Sequence, residues 1–149
     1  GRGIGIDVGG IIQVPLGEVL SVSNIGLLTV GGSMTNIIGT KIFWSSQKED
    51  LIPMNFIWGA SYQQDLIFAP VTAEIFYQKD QRLEKENQYG LELAILKKIY
   101  LRCGKDDVGQ HGGIGFEFIM FRKNIDLGYS FLSHDLGKAH RFDFTIGLF

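Results

Sequence analysis

The sequence predicts an all-β protein whose strands follow one another in antiparallel, up-and-down order. The first observation is the alternation of apolar and polar side chains along the last stretch, Asn124 to Phe149. The second is the composition of the 149-residue chain, in which 20 Gly and 11 Phe stand against 3 Pro, as suits closely approaching strands. The third is the near absence of helical periodicity. Together they favour a single domain, 1–149, of about nine strands.

The last stretch is interpreted as a closing β-hairpin with one apolar and one polar, small-residue face. Its first arm alternates Ile125, Leu127, Tyr129 and Phe131 with Asp126, Gly128 and Ser130. After a polar loop, its second arm alternates Phe142, Phe144, Ile146 and Leu148 with Asp143, Thr145 and Gly147. Membrane barrels and soluble sandwiches both use this pattern.

The opening segment is interpreted as a strand from Ile4 to Val14, with a bulge at Gly9-Gly10 where the apolar parity changes. Its letters GIGIDVGG resemble the first phosphate-binding hairpin of sugar kinases and other actin-like ATPases. However, Ile11-Ile12 replaces the usual Thr or Ser of that family, and no second phosphate loop follows. The strand interpretation is therefore preferred.

The next elements are read from turn residues and alternation. Pro15-Leu16-Gly17 predicts a tight turn into a strand from Val19 to Ile25. Leu27 to Leu51 is too irregular for a strand pair and is interpreted as a structured outer loop. The remaining strands before the hairpin are Asn55 to Gln63, Val71 to Gln78, Tyr89 to Leu96, Ile99 to Gly104 and Gly113 to Phe121. The charged run Lys79 to Asn87 and the segment Lys105 to Gly112 are expected to be loops.

The predicted connections alternate in length along the chain. Short turns are expected at Pro15, Asp65, Lys97 and Arg122, and longer loops at Leu27, Lys79, Lys105 and Ser133. Bacterial outer-membrane barrels place short turns in the periplasm and longer loops outside the cell. No segment approaches the roughly 18 apolar residues of a spanning helix, so a membrane protein of this composition would be a barrel. Tyr77 and Tyr89 would then lie near its outer rim.

Three motifs carry a resemblance to a known family. The end of the chain, DLGKAHRFDFTIGLF, resembles the closing hairpin of the PorV/PorQ group of outer-membrane proteins, a branch of the FadL-like barrels. Ser23-Asn24-Ile25-Gly26, and Ile52-Pro53 followed by Gly59-Ala60-Ser61-Tyr62, are similar to strand ends of the same group. The resemblance implies a transmembrane β-barrel of about 14 strands, of which this chain would be the C-terminal part.

The resemblance also implies a function and a place in the cell. It implies a non-enzymatic protein of the bacterial outer membrane, acting in type IX protein secretion or in the transport of hydrophobic molecules. The implied partners are outer-membrane lipid, the barrel assembly machinery, and secreted cargo proteins or a hydrophobic ligand. The expected assembly signal is the last strand, with Phe142, Phe144, Ile146, Leu148 and Phe149. With the last strand ending in the periplasm, nine strands would place Gly1 outside the cell, so an odd number of upstream strands is expected. The start at Gly1-Arg2-Gly3, without Met or a signal peptide, agrees with this and is interpreted as either a processed end or a piece of a longer protein.

No catalytic, cofactor or metal site is expected. Ser133-His134-Asp135 contains the residue types of a triad, but neighbours in one loop rarely reach triad geometry. The histidines at 111, 134 and 140 are expected on loops or their edges, where nothing fixes them together as ligands. The single Cys103 excludes an internal disulfide. A net charge of -2 gives no support for nucleic-acid binding.

Four charged residues are expected to form a network across the lumen face. If Tyr77 pairs with Tyr89 and Ile95 with Ile99, then Glu74 stands opposite Glu92, and Glu92 opposite Arg102. Pairing Cys103 with Phe116 would also bring Glu117 opposite Arg102. The network is interpreted as structural rather than as a cation or cargo site. The alternative function is a soluble β-sheet domain that binds a ligand or a protein partner.

Overall fold

The computed structural model describes residues 3–44, 49–81, 86–134 and 137–147. These residues form eleven strands and one short helix. In chain order they are β1 (Val8–Pro15), α1 (Leu16–Leu20), β2 (Leu27–Thr35), β3 (Thr40–Phe43), β4 (Glu49–Ile52), β5 (Asn55–Asp65), β6 (Val71–Asp80), β7 (Glu86–Ile95), β8 (Ile99–Lys105), β9 (Gly109–Met120), β10 (Lys123–His134) and β11 (Gly137–Ile146).

Nine of the strands form one antiparallel sheet in the order β1-β2-β5-β6-β7-β8-β9-β10-β11, and β3 and β4 form a separate hairpin between β2 and β5. Every neighbouring pair is antiparallel. The predicted all-β, up-and-down order is therefore confirmed. The sheet is not closed in the described part of the chain, where β1 and β11 form its two edges.

The N-terminal third differs from the sequence prediction. The strand expected from Ile4 begins only at Val8, and its register with β2 runs unbroken from Val8 to Pro15, so the expected bulge at Gly9-Gly10 is wrong. The strand expected from Val19 to Ile25 is also wrong. The chain forms helix α1 there, which ends at Ser21 with a left-handed φ of 53° and a bond from the Val22 N–H to the Gly17 carbonyl.

Strand β2 occupies the first part of the segment that was expected to be a loop. Gly31 and Gly32 lie in the middle of β2 and contribute no side chains to the alternating pattern. Hydrophobic periodicity in the sequence therefore does not predict this strand. Long-range pairing with β1 and β5 on either side nevertheless forms the strand. Tertiary pairing here outweighs the weak local signal.

The loop expected from Lys105 to Gly112 is wrong as well. Strand β8 continues to Lys105, which pairs with Gln110 at the beginning of β9. The Asp106 carboxylate closes the short connection by accepting bonds from the N–H groups of Val108 and Gly109, both at 2.8 Å. This connection is as tight as the turn at residues 96–98, so the expected alternation of short turns and long loops fails.

The remaining predictions hold more closely. Strands β5 to β7 lie where they were expected: β5 and β6 each extend by two residues at the C-terminal end, and β7 begins three residues earlier and ends one residue earlier than predicted. In the segment Lys79 to Asn87, β6 runs to Asp80 and β7 starts at Glu86, and residues 82–85 lie outside the described part. The turn at Arg122 is confirmed as a two-residue connection with left-handed φ at Phe121 and Arg122, the geometry that matches the twist of paired strands.

The register divides the sheet into two chemically different faces, because paired residues share a face and successive residues alternate. We call them the apolar face and the polar face. Mid-strand residues of the apolar face include Val30, Ala60, Ile75, Leu91, Leu93, Leu101, Cys103, Ile114, Leu127, Tyr129, Phe142 and Phe144. Those of the polar face include Thr29, Gly59, Ser61, Glu74, Gly90, Glu92, Arg102, Gly104, Gly113, Gly128, Ser130 and Asp143.

The sheet is a single layer with no second layer packed on it. In the described residues, contacts between elements join only neighbouring strands, apart from those of α1 with β1 and β2. Ile125, at 6% exposure, is the single buried hydrophobic residue among them. The accessible surface is 11345 Å², whereas a compact protein of 16.6 kDa exposes about 7,600 Å². The described residues therefore do not form the two-layer core of a soluble sandwich.

Candidate functional site

The predicted charge row lies across the middle strands of the polar face. Glu74 pairs with Glu92, and Glu92 pairs with Arg102, so these two predictions are confirmed. The Nε of Arg102 donates to Oε2 of Glu92 at 2.5 Å. The Arg102 side chain is 55% exposed, so this ion pair by itself adds little stability in water. Its main effect is to neutralise one of two carboxylates that face each other.

Glu117 does not take its predicted place opposite Arg102. The tight connection at Asp106 sets a different register, in which Cys103 pairs with Gly112 rather than Phe116, and Arg102 with Gly113. Glu117 instead lies opposite Asp126 on the next strand. Tyr100 connects Glu117 to the rest of the charge row, because its hydroxyl donates to Oε2 of Glu117 at 3.0 Å.

Tyr100 is the member of the site that the sequence reading missed. The guanidinium of Arg102 lies over its ring, 5.3 Å from the centroid, a cation–π geometry. The available signal was parity, since residues 100 and 102 share a face of one strand. The site is thus a connected line from Glu92 through Arg102 and Tyr100 to Glu117, rather than three carboxylates around one guanidinium.

A second ion pair on β11 extends the polar row. Arg141 stands in the same row as Arg102, through Gly113 and Ser130, and its Nε donates to Oδ1 of Asp143 at 2.7 Å. A cavity of about 350 Å³ lies between the two ion pairs and is bordered by Phe76, Arg102, His111, Ser130 and Asp143. Its glycine-rich floor leaves room for water or a polar solute. Nothing in it pairs a nucleophile with a base.

Phe76 is a second aromatic residue on the polar face, at the border of this cavity. It pairs with Gly90, and a Cβ atom placed on Gly90 would overlap its ring. On the apolar face, the ring of Phe131 covers Gly112 in the same way. Aromatic rings that cover a neighbouring strand's glycine restore the contacts that the missing side chain loses. These glycines are therefore packing positions, one on each face.

The connection between β8 and β9 places an acid and a histidine at one end of the polar face. The Nε2 of His111 lies 2.8 Å from Oδ2 of Asp106. Partial burial disfavours the charged carboxylate, but bonds from the Gly109 N–H, the His111 ring and the Val108 N–H together hold the pKa of Asp106 below its ordinary value. The ionised carboxylate thus stabilises the hairpin.

We expect Asp106→Ala to destabilise the protein by about 1 kcal/mol at neutral pH, because two turn N–H groups lose their acceptor. A pKa lowered on folding contributes stability that is present above about pH 4, the unfolded value, and is lost as the pH falls through the folded pKa. Urea unfolding from pH 7 to pH 2 should therefore show a steeper acid loss in the wild type than in Asp106→Ala. Parallel curves would contradict the assignment.

The triad residue types are not assembled into a triad by the described residues. Ser133 and His134 are consecutive at the end of β10, which turns their side chains to opposite faces, and Asp135 lies outside the described residues. His111 contacts Asp106, and Nδ1 of His140 lies 2.8 Å from the Tyr129 hydroxyl. Over the described ranges, no group of three or more His, Cys, Asp or Glu side chains is arranged to hold a metal ion.

The expected assembly signal is described only in part. Phe142, Phe144 and Ile146 lie on the apolar face of β11, opposite Tyr129, Leu127 and Ile125. Phe142 is 79% exposed. Leu148 and Phe149 lie outside the described residues. Among the described residues, no helix has the length and apolar character to cross a membrane.

Comparison of the chain with models of known protein families, with curated proteins and with solved structures found no match.

Proposed function

We propose that this chain forms part of the wall of a bacterial outer-membrane β-barrel and that it has no enzymatic activity. The observation that carries the proposal is the unpartnered apolar face of a single-layer, up-and-down antiparallel sheet. An apolar face of this extent is unfavourable in water. Lipid acyl chains would cover it without requiring a second protein layer.

The polar face supports the same proposal. Many of its residues are Gly, Ser, Thr and Gln, and its charged residues include the ion pairs of Arg102 with Glu92 and Arg141 with Asp143. Small and polar residues suit a barrel interior, where side chains from several strands converge on a limited volume. The charge row would then line the lumen and join strands β6 to β9.

Within this class, we propose a role of the PorV/PorQ or FadL-like kind: type IX protein secretion or the passage of hydrophobic molecules. The support is the resemblance of the closing hairpin, with Gly137 to Phe149 at its end, and of the strand ends near Asn24 and Tyr62. The partners would be outer-membrane lipid, the assembly machinery, and secreted cargo or a hydrophobic ligand. The last strand, with Phe142 and Phe144 facing lipid, would be recognised by the barrel assembly machinery.

The native cysteine provides the test. Cys103 is the single cysteine of the chain and lies on the apolar face, in the row of Leu91, Gly112 and Phe131. Cys103→Ser combined with Ser130→Cys moves the thiol to the polar face by two near-isosteric changes. Both proteins are refolded into phospholipid vesicles and treated with a charged, water-soluble maleimide and with an uncharged, lipid-soluble one.

We expect Cys103 to resist the charged reagent, because it would be embedded among acyl chains, and Ser130→Cys to react with both reagents. A fluorophore on Cys103 should also be quenched by a nitroxide on the lipid chain. Equal reaction of both thiols with the charged reagent, from a protein that stays in the aqueous supernatant, would overturn the proposal. That outcome would instead favour the soluble ligand-binding or partner-binding domain.

A further inference from the structure

Three aromatic rings form a continuous cluster on the apolar face, near the end of the sheet where residues 106–108 connect β8 to β9. The rings of Trp58 and Tyr77 meet edge to face with centroids 5.3 Å apart, and the rings of Tyr77 and Tyr89 lie 5.1 Å apart. The Tyr77 hydroxyl donates to Oδ1 of Asn87 at 3.0 Å, which fixes the central ring. Tyr89 is more than half exposed.

Two lysines flank the rings on the same face. Lys79 pairs with Trp58, and Lys105 pairs with Tyr89, so all five side chains arise from one face of the adjacent strands β5 to β8. We call Trp58, Tyr77, Lys79, Tyr89 and Lys105 the basic-aromatic patch. Its two cations stand on the same face as Ile75, Leu91 and Leu101, where a charge has no role in packing.

The two cations are not ion-paired with carboxylates of the described residues. Of the two acids in the 106–108 connection, Asp106 contacts His111, and Asp107 accepts a bond from the Asn87 N–H at 3.1 Å rather than from either lysine. The patch therefore presents positive charge above an apolar surface, with amphipathic rings between the two.

We propose that the basic-aromatic patch binds the anionic headgroup of a membrane lipid. The ammonium groups of Lys79 and Lys105 would contact the phosphate, their aliphatic stems and the three rings would lie along the glycerol region, and the chains would follow the apolar face. This inference rests on the proposed function, because it requires the apolar face to lie in lipid. It adds a preference for one class of lipid at one place on that face.

Tryptophan quenching by brominated lipids tests the preference directly. The chain has 2 Trp, and Trp44, bonded to Asp50 beside the separate β3–β4 hairpin, is replaced by Phe. Trp58 is then the sole reporter, and it belongs to the patch. The protein is reconstituted in mixed phosphatidylcholine and phosphatidylglycerol vesicles, with bromine placed on the chains of one lipid or of the other at equal mole fraction.

We expect stronger quenching by the brominated phosphatidylglycerol, with a relative affinity on the order of fivefold for each lysine that contacts the headgroup. The preference should weaken as salt is raised. Lys79→Gln with Lys105→Gln should abolish it while leaving quenching by both lipids. Lys97→Gln with Lys98→Gln, at the opposite end of the sheet, is the matched control and should leave the preference unchanged.

The outcomes separate the two proposals. Absence of quenching by either lipid would mean that Trp58 does not face acyl chains, and the outer-membrane proposal itself would fail. Equal quenching by both lipids, or a preference that persists in the Lys79→Gln, Lys105→Gln protein, would overturn the lipid site alone. Loss of the preference on adding inorganic phosphate, but not sulfate at equal ionic strength, would assign the patch to free phosphate and also overturn it.

Discussion

Leu101→Arg is expected to lower the free energy of unfolding of the lipid-reconstituted protein by about 2–4 kcal/mol, the cost of a cation near the middle of a bilayer on the lipid-facing side of a barrel. Leu101 lies in the middle of β8 on the apolar face, between Leu93 and Ile114, and is 39% exposed. In water, a charge at so exposed a position would change stability by roughly 0.5 kcal/mol or less. Urea titration in vesicles measures the difference.

The matched control is Ser61→Arg on the polar face of β5. Ser61 borders an open, glycine-rich part of that face, near Glu74, so the new guanidinium has space, water and a neighbouring carboxylate. We expect little change in stability. Similar small losses for both variants would show that the apolar face lies in water. A similarly large loss for Ser61→Arg would show that the polar face is not open to water and would contradict its place in a lumen.

Arg102→Leu is expected to be the most damaging change on the polar face, with a loss of about 1–2 kcal/mol, because Glu92 loses its hydrogen-bonded partner while still facing Glu74. The substitution also removes the cation that lies above the Tyr100 ring. Glu74→Gln should cost much less, since it removes one of two opposed carboxylates and leaves the ion pair of Arg102 with Glu92 intact. Equilibrium unfolding of both variants tests this order.

A double variant separates charge from packing. Arg102→Leu combined with Glu92→Gln removes the uncompensated carboxylate, so we expect it to recover most of the stability lost in Arg102→Leu alone. Glu117→Gln should not rescue Arg102→Leu, because Glu117 bonds to Tyr100 and does not face the arginine. Rescue by Glu117→Gln, or none by Glu92→Gln, would contradict the described line of contacts.

The closing hairpin shows what local pattern predicts well. The apolar residues of its two arms, among them Leu127, Tyr129, Phe142 and Phe144, share one face of the sheet, as the alternation predicted. Because the strand period is two, a reading that assigns the apolar residues to one face also fixes which residues can lie opposite one another. The same argument predicted Glu74, Glu92 and Arg102 as neighbours, once Tyr77 was paired with Tyr89 and Ile95 with Ile99.

Register beyond a connection of unknown shape was not predictable in this way. The placement of Glu117 failed because alternation is unchanged by a shift of four residues, and only the Asp106 side chain closing its own turn selects the observed pairing of Cys103 with Gly112. In the observed register, Tyr100 bonds to Glu117 and so belongs to the site. A side chain that bonds to turn N–H groups carries little signal in hydrophobic periodicity.

The sequence by itself determined the all-β class, the antiparallel order, the two unlike faces and the row of Glu74, Glu92 and Arg102, because these depend on a period of two along each strand. Tertiary structure alone decided that β2 forms around Gly31-Gly32, that Glu117 bonds to Tyr100, and that Lys79 and Lys105 flank one aromatic cluster. Each of these depends on which distant strand lies alongside. Pairing between strands is non-local, so its free energy cannot be predicted from the local sequence pattern of either strand.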